Sequence, residues 1–115
     1  MHNYKELNVW KKSILLAVDV YLLTNHFPPE EKFGLVSQLR RCAVSVPSNI
    51  AEGAGKKSNK EFSQFLSISY GSLCEMDTQL IISKELDYIG IGDFEKLGGK
   101  IDERQKMIFA LLNKF

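Results

Sequence analysis

The residues able to do chemistry are few in this 115-residue chain, and they are scattered. The two cysteines, Cys42 and Cys74, stand far apart, and the only histidines are His2 and His26. A structural zinc site takes four Cys or His ligands at short spacings. No such spacing occurs, so no metal is expected. A carboxylate di-metal centre between helices would need Glu-x-x-His, which is absent. A serine nucleophile needs a base, and the one internal histidine, His26, belongs to the end of a different helix from Ser45 and Ser48. Glu52-Gly53-Ala54-Gly55 closes a helix instead of following a strand, a poor match to a phosphate loop. The chain reads as a non-enzyme with no cofactor.

Polar residues beside an apolar stripe suggest a structural role. Ser45, Ser48, Asn49 and Glu52 form a strip, and Pro47 within it deprives the carbonyl of Ala43 of its helical donor. Ser72 and Glu75 on a later helix are placed to face that strip. A buried polar network around Pro47 is the expectation. Both cysteines sit among small or apolar residues and read as buried free thiols. With no disulfide framework, a reducing cytoplasm fits.

Charge is balanced in total, 15 basic against 14 acidic residues and a net +1, but not along the chain. Gln38–Lys60 holds Arg40, Arg41, Lys56, Lys57 and Lys60 against Glu52 alone, a net +4. Glu61–Glu95 is −6, and the remainder to Phe115 is +3. The basic segment is the candidate contact for RNA or DNA phosphate; repeated by symmetry in an oligomer it would form a basic ring. A competing reading gives Lys56 and Lys57 to a helix C-terminal dipole and one of the adjacent arginines to a carboxylate such as Glu52 or Glu75. Trp10, Phe27 and Phe33 are candidate base-stacking residues, although an aromatic at helical spacing, such as Trp10, more often belongs to a core.

Four helices must position these groups. Leu7, Trp10, Ile14, Ala17 and Tyr21 share a face, predicting a helix over about 9–26 capped by Asn8 and stopped by Pro28-Pro29. Val36, Leu39, Ala43, Val46 and Ile50 predict a second over about 30–53, with Pro29 in its first turn, a kink at Pro47, and Gly53 and Gly55 as its stop. Ser58-Asn59-Lys60-Glu61 is a capping box opening a third over about 59–87, with Phe62, Leu66, Ser69, Leu73, Met76 and Leu80 on one face. Asp93 caps a fourth over about 93–114, where Phe94, Leu97, Ile101, Ile108 and Leu111 align; Arg104 on that face is an anomaly. Short connections imply one all-α domain over 1–115, an up-down-up-down antiparallel four-helix bundle. Ile14–Leu23 is apolar, but it is interrupted by Asp19 and too short to span a bilayer, so no membrane role is expected.

Helix 1 is apolar nearly all round, and helix 3 carries extra apolar residues at Phe65 and Ile68. A bundle helix needs one apolar stripe. Leu15, Leu16, Leu22, Phe65 and Ile68 are therefore assigned to an interface between copies of the chain.

The segment Gln38–Gly53, with Ser45-Val46-Pro47-Ser48-Asn49-Ile50-Ala51-Glu52-Gly53 at its end, Phe62–Leu66, Gly71–Glu75, Trp10 and Phe27-Pro28 together resemble the four-helix-bundle proteins encoded by intervening sequences of 23S ribosomal RNA. That family is similar to the accessory variability determinant of diversity-generating retroelements. The resemblance covers Tyr4 to Phe115. It implies a four-helix bundle, commonly a homopentamer, without catalytic activity. Retroelement members bind nucleic acid and a reverse transcriptase, but they are expected to be clearly basic, whereas this chain is nearly neutral. The expected function is a non-catalytic oligomer associated with nucleic acid or a ribonucleoprotein. The alternative is a structural or adaptor homo-oligomer that binds a protein partner.

Overall fold

Four runs of helical spacing become four helices: α1 (Asn8–Thr24), α2 (Leu35–Ala54), α3 (Asn59–Glu85) and α4 (Ile91–Lys114). The computed structural model describes residues 1–115 and adds two short 3₁₀ turns, Tyr4–Glu6 before α1 and Pro29–Glu31 before α2. Each helix packs on the next, and α1 closes the ring against α4. α2 with α3 is the most closely packed pair and α1 with α4 the least. The particle measures 43 × 23 × 19 Å. Its length is that of α3, whose 27 residues rise about 1.5 Å each.

The core is apolar and continuous. Val36, Leu39, Ala43, Val46 and Ile50 of α2 meet Phe62, Leu66, Leu73, Met76 and Leu80 of α3, and Leu97, Ile101 and Ile108 of α4 complete it. Those three registers are the ones the spacing predicts. α1 differs. Its buried face is Val9, Ser13, Leu16, Val20 and Thr24, while Ile14 and Tyr21 from the predicted stripe are partly exposed. A helix apolar on every side carries little information about which side turns inward. The true face also includes two hydroxyl residues. Thr24 Oγ1 donates to the carbonyl of Val20 at 2.8 Å, and Ser13 Oγ is buried without a partner.

Boundaries moved where capping depends on distant residues. Asn8 is the first residue of α1, not its cap; Leu7 occupies that position, and Asn3 accepts from the amide of Lys5 instead. α2 starts at Leu35, not 30. Pro29 opens only a single 3₁₀ turn, and Glu31 Oε1 accepts from the amide of Leu35 at 3.2 Å. α2 then runs unbroken through Pro47, so no kink is needed to accommodate the proline. Gly53 lies inside α2 and Gly55 is its cap. Ser58 caps α3 as expected: its Oγ accepts from the Glu61 amide at 3.2 Å, while the Glu61 carboxylate accepts from the Ser58 hydroxyl at 3.1 Å. α3 ends at Glu85, with Asp87 in the left-handed region at φ 60° and the amide of Tyr88 returning to the carbonyl of Ser83 at 2.9 Å. Gly90, not Asp93, occupies the cap of α4.

Candidate nucleic-acid interface

Helix α2 carries most of the predicted groups, and its length separates them. Arg40 and Arg41 lie near its start, while Lys56, Lys57 and Lys60 follow its end. Fourteen residues from Arg40 to Ala54 rise about 21 Å, so the +4 segment is two basic regions, not one cluster. Lys57 and Lys60 are exposed, and Lys56 lies with Nζ 5.4 Å from the centre of the Phe65 ring. None of the three forms an ion pair.

The two adjacent arginines have different fates. Arg40 is drawn onto the C-terminus of α1: Nε donates to Thr24 Oγ1 at 2.9 Å, and Nη2 donates to Asn25 Oδ1 at 2.9 Å and to the carbonyl of Tyr21 at 3.3 Å. Its guanidinium lies 4.6 Å from the centre of the Tyr21 ring. A cation at a helix C-terminus is favourable, and it needs no carboxylate; neither Glu52 nor Glu75 pairs with it. Arg41 is exposed and makes no ion pair.

The polar network exists in reduced form. Ser45 Oγ and Ser72 Oγ are 2.9 Å apart across α2 and α3, and Asn49 Nδ2 donates to Ser45 Oγ and to its carbonyl, both at 2.9 Å. Glu75 of α3 makes a separate contact, accepting from Cys42 Sγ at 2.9 Å. Ser48 and Glu52 are exposed and make no side-chain hydrogen bond within it. A further polar link between α2 and α3 lies outside the predicted strip: buried Ser69 donates to the carbonyl of Val46 at 2.9 Å. Ser69 sat in the predicted core face of α3, which was the available signal. Burial, then the Glu75 hydrogen bond, push the Cys42 thiol up to about 12, so it is an inert thiol at neutral pH. Cys74, expected to be buried, is exposed.

Of the residues assigned to a subunit interface, Leu15 (61%) and Leu22 (59%) are exposed, as is Ile68, and Phe65 is half-buried. Leu16 is only 1% exposed and belongs to the core, because the inward face of α1 is not the predicted one. The outer side of α1 and α2 forms an apolar groove of about 510 Å³ lined by Trp10, Ile14, Val18, Tyr21, Val44 and Pro47 among others. Next to it, across Tyr21, Val44 and Ser48, lies a cleft of about 720 Å³.

The aromatic candidates separate too. Phe27 is buried and its ring centre is 5.6 Å from that of Tyr88. Trp10 is half-buried, edge-on to Tyr4 at 5.3 Å. Only Phe33 stands free, at 88% exposed. Arg104, the anomaly of α4, is 4% exposed and donates to the carbonyl of Lys12 from Nε at 3.2 Å and from Nη2 at 2.9 Å. Its burial is thus satisfied from α1. No group of three or more Cys, His, Asp or Glu side chains is placed to hold a metal, and no helix is long and apolar enough to cross a membrane.

Residues 5–110 match the model of the family described as 23S rRNA-intervening sequence protein. The chain is also similar to a solved structure from Bacteroides thetaiotaomicron, described as a protein with unknown function from the S23 ribosomal protein family. The TM-score is 0.85 at 24% identity, over 91% of this chain and 95% of that one. That likeness concerns the fold. No curated protein matches the chain.

Proposed function

The chain belongs to the 23S rRNA-intervening sequence protein family, and from that premise we propose that it is a non-catalytic, self-associating bundle that holds nucleic acid or a ribonucleoprotein. The observation that carries this reading is the unpaired lysine group at one end. Lys56, Lys57 and Lys60 sit together where α2 passes to α3, without an ion-pair partner. The opposite end gathers Glu30 and Glu31 from the α1–α2 connection, Glu85 and Asp87 from the end of α3 and the link after it, and Asp93 and Glu95 from the start of α4. A nearly neutral chain thereby carries a group of free cations at one pole, which attracts phosphate, while at the other pole acids and the cations Lys32, Lys84 and Lys96 are interspersed. Arg41 adds a free cation on the flank of α2; Arg40 is committed to α1.

The test is a salt-titrated binding measurement with structured RNA and duplex DNA. Affinity falls steeply with salt in the intact protein. Changing Lys56, Lys57 and Lys60 to Ala flattens the slope of log K against log salt by about 2–3. No binding at low salt overturns the reading.

A second reading, an adaptor homo-oligomer that binds protein, is favoured by the apolar groove and by the exposed Leu15, Val18 and Leu22 along α1. Contiguous apolar surface of this kind is uncommon on monomers. Light scattering tests the self-association that both readings share, which a 13.1 kDa species in solution removes; the salt-titrated binding measurement separates them.

A further inference from the structure

We propose that the cleft at the start of α2 binds unpaired nucleotides, with Phe33 as the stacking surface and Arg41 and Lys32 as the phosphate contacts. The inference rests on the nucleic-acid reading above and adds to it a second site, with a preference for single strands.

The cleft's lining carries three cations, Lys32, Arg40 and Arg41, three hydroxyls, Ser37, Ser45 and Ser48, and no carboxylate. The bias of the lining is its three cations, and the nearest acids in sequence, Glu30 and Glu31, lie just before it. Its volume, about 720 Å³, falls within the about 300–1,000 Å³ common for small-ligand sites. Two aromatic rings border it. Tyr21 is covered by the Arg40 guanidinium, itself held by Thr24 and Asn25. Phe33 is almost entirely exposed, on the short link between the Pro29–Glu31 turn and α2, with Lys32 Nζ 5.5 Å from its ring centre.

An exposed ring flanked by free cations is the arrangement that stacks a base and meets its phosphate. Arg40 is held by Nε and Nη2 on the end of α1, so it acts as a positioning residue for Tyr21; Lys32 and Arg41 are the cations left for the ligand. A duplex hides its base faces and gains nothing from Phe33. The lysines beyond α2, about 20 Å away along the helix, meet phosphates of either form. An apolar protein partner would be better served by the neighbouring groove, whose lining is mostly hydrophobic.

The experiment measures fluorescence anisotropy of a labelled 12-nucleotide oligouridylate, its thymidine DNA counterpart and a 12-base-pair duplex, with polyglutamate as an acidic-peptide competitor. Phe33→Ala, at an exposed position, leaves the melting temperature unchanged. It weakens single-strand binding by about 10-fold or more while sparing the duplex and the salt slope. Phe33→Trp restores the affinity, and its emission is quenched by the strand. Arg41→Ala lowers the single-strand salt slope by about 0.7. The RNA and DNA arms identify which strand the cleft prefers. If Phe33→Ala leaves single-strand affinity intact, or weakens the duplex equally, the cleft assignment fails. It also fails if polyglutamate binds in a Phe33-dependent manner, which would point to an acidic protein. Binding of both forms that depends only on Lys56, Lys57 and Lys60 removes this site and keeps the parent reading. Absence of any binding removes both.

Discussion

The α2–α3 seam and the α1–α4 seam close the same bundle with different chemistry. Between α2 and α3 the backbones approach so closely that a Cβ on Gly53 would lie 2.6 Å from Phe65 Cβ and 3.0 Å from Phe62 Cδ1. Around that contact the side chains are small or apolar, and the polar groups among them, Ser45, Ser69 and Ser72, find partners across the seam. Between α1 and α4 packing is sparser and the links are ionic: Lys12 to Glu103 at 3.0 Å, Lys100 to Asp19, and Arg104 to the carbonyl of Lys12. Dense apolar contact gives stability that depends on shape and little on solvent. Partly exposed ion pairs contribute little and respond to salt and pH. The comparison therefore predicts a bundle that opens first along α1–α4.

The largest expected effect breaks the first seam. Gly53→Leu forces α2 and α3 apart and costs about 3 kcal/mol, read as a drop in melting temperature of roughly 10 °C. An unchanged melting temperature would show that the close approach is not a constraint. Arg104→Ala attacks the second seam. It removes the charged donors to Lys12 from a buried position and costs about 2 kcal/mol in urea unfolding. A cost below about 0.5 kcal/mol would mean that α1 and α4 hold without it. Gly99→Ala sharpens the contrast between glycines. Nothing lies within 4 Å of a Cβ there, so the substitution stabilises α4 by up to about 1 kcal/mol.

The smallest effect is with pH, and the two seams respond at opposite ends. The hydrogen bond from Lys12 holds the Glu103 carboxyl below its usual range, outweighing the upward push of partial burial. Its contribution is present above the ordinary carboxylate pKa and is lost as pH falls through the depressed one. Cys42 behaves in reverse. Between its ordinary value of 9.0 and about 12 the folded chain keeps a proton the unfolded chain has lost, so its contribution is full below pH 9 and declines above it. Hydrogen exchange is expected to show α1 amides losing protection before α3 amides in acid. The reverse order would sink the comparison.

What was legible in the sequence follows from how local each signal is. The start of α3 was readable because Ser58 and Glu61 satisfy each other within one turn. The start of α2 was not, because Glu31 caps Leu35 while its other oxygen accepts from the hydroxyl of Tyr88 at 2.9 Å, a residue from the far side of the chain. In α2 the apolar and polar faces are distinct, and its core face of Val36, Leu39, Ala43, Val46 and Ile50 is the one the spacing predicts. In α1 both sides are apolar, so Leu16 was assigned outward when it faces in. The candidate site was less legible than the fold. Neighbours Arg40 and Arg41 have the same side chain, and only the position of Thr24 and Asn25 at the end of α1 decides that the first is occupied and the second free.

By itself, then, the amino-acid sequence determined four helices, their order, three of their four core faces and the absence of any zinc or nucleophile pattern. Periodicity and caps act over a few residues, and the chain carries them wherever it goes. The tertiary structure alone decided which face of α1 is buried, that the +4 segment is split along α2, and that Gly53 is a point of contact instead of a stop. It alone left Phe33 bare beside a cleft without carboxylates. Each of these depends on which distant residue lies opposite, and that is settled only when the helices pack.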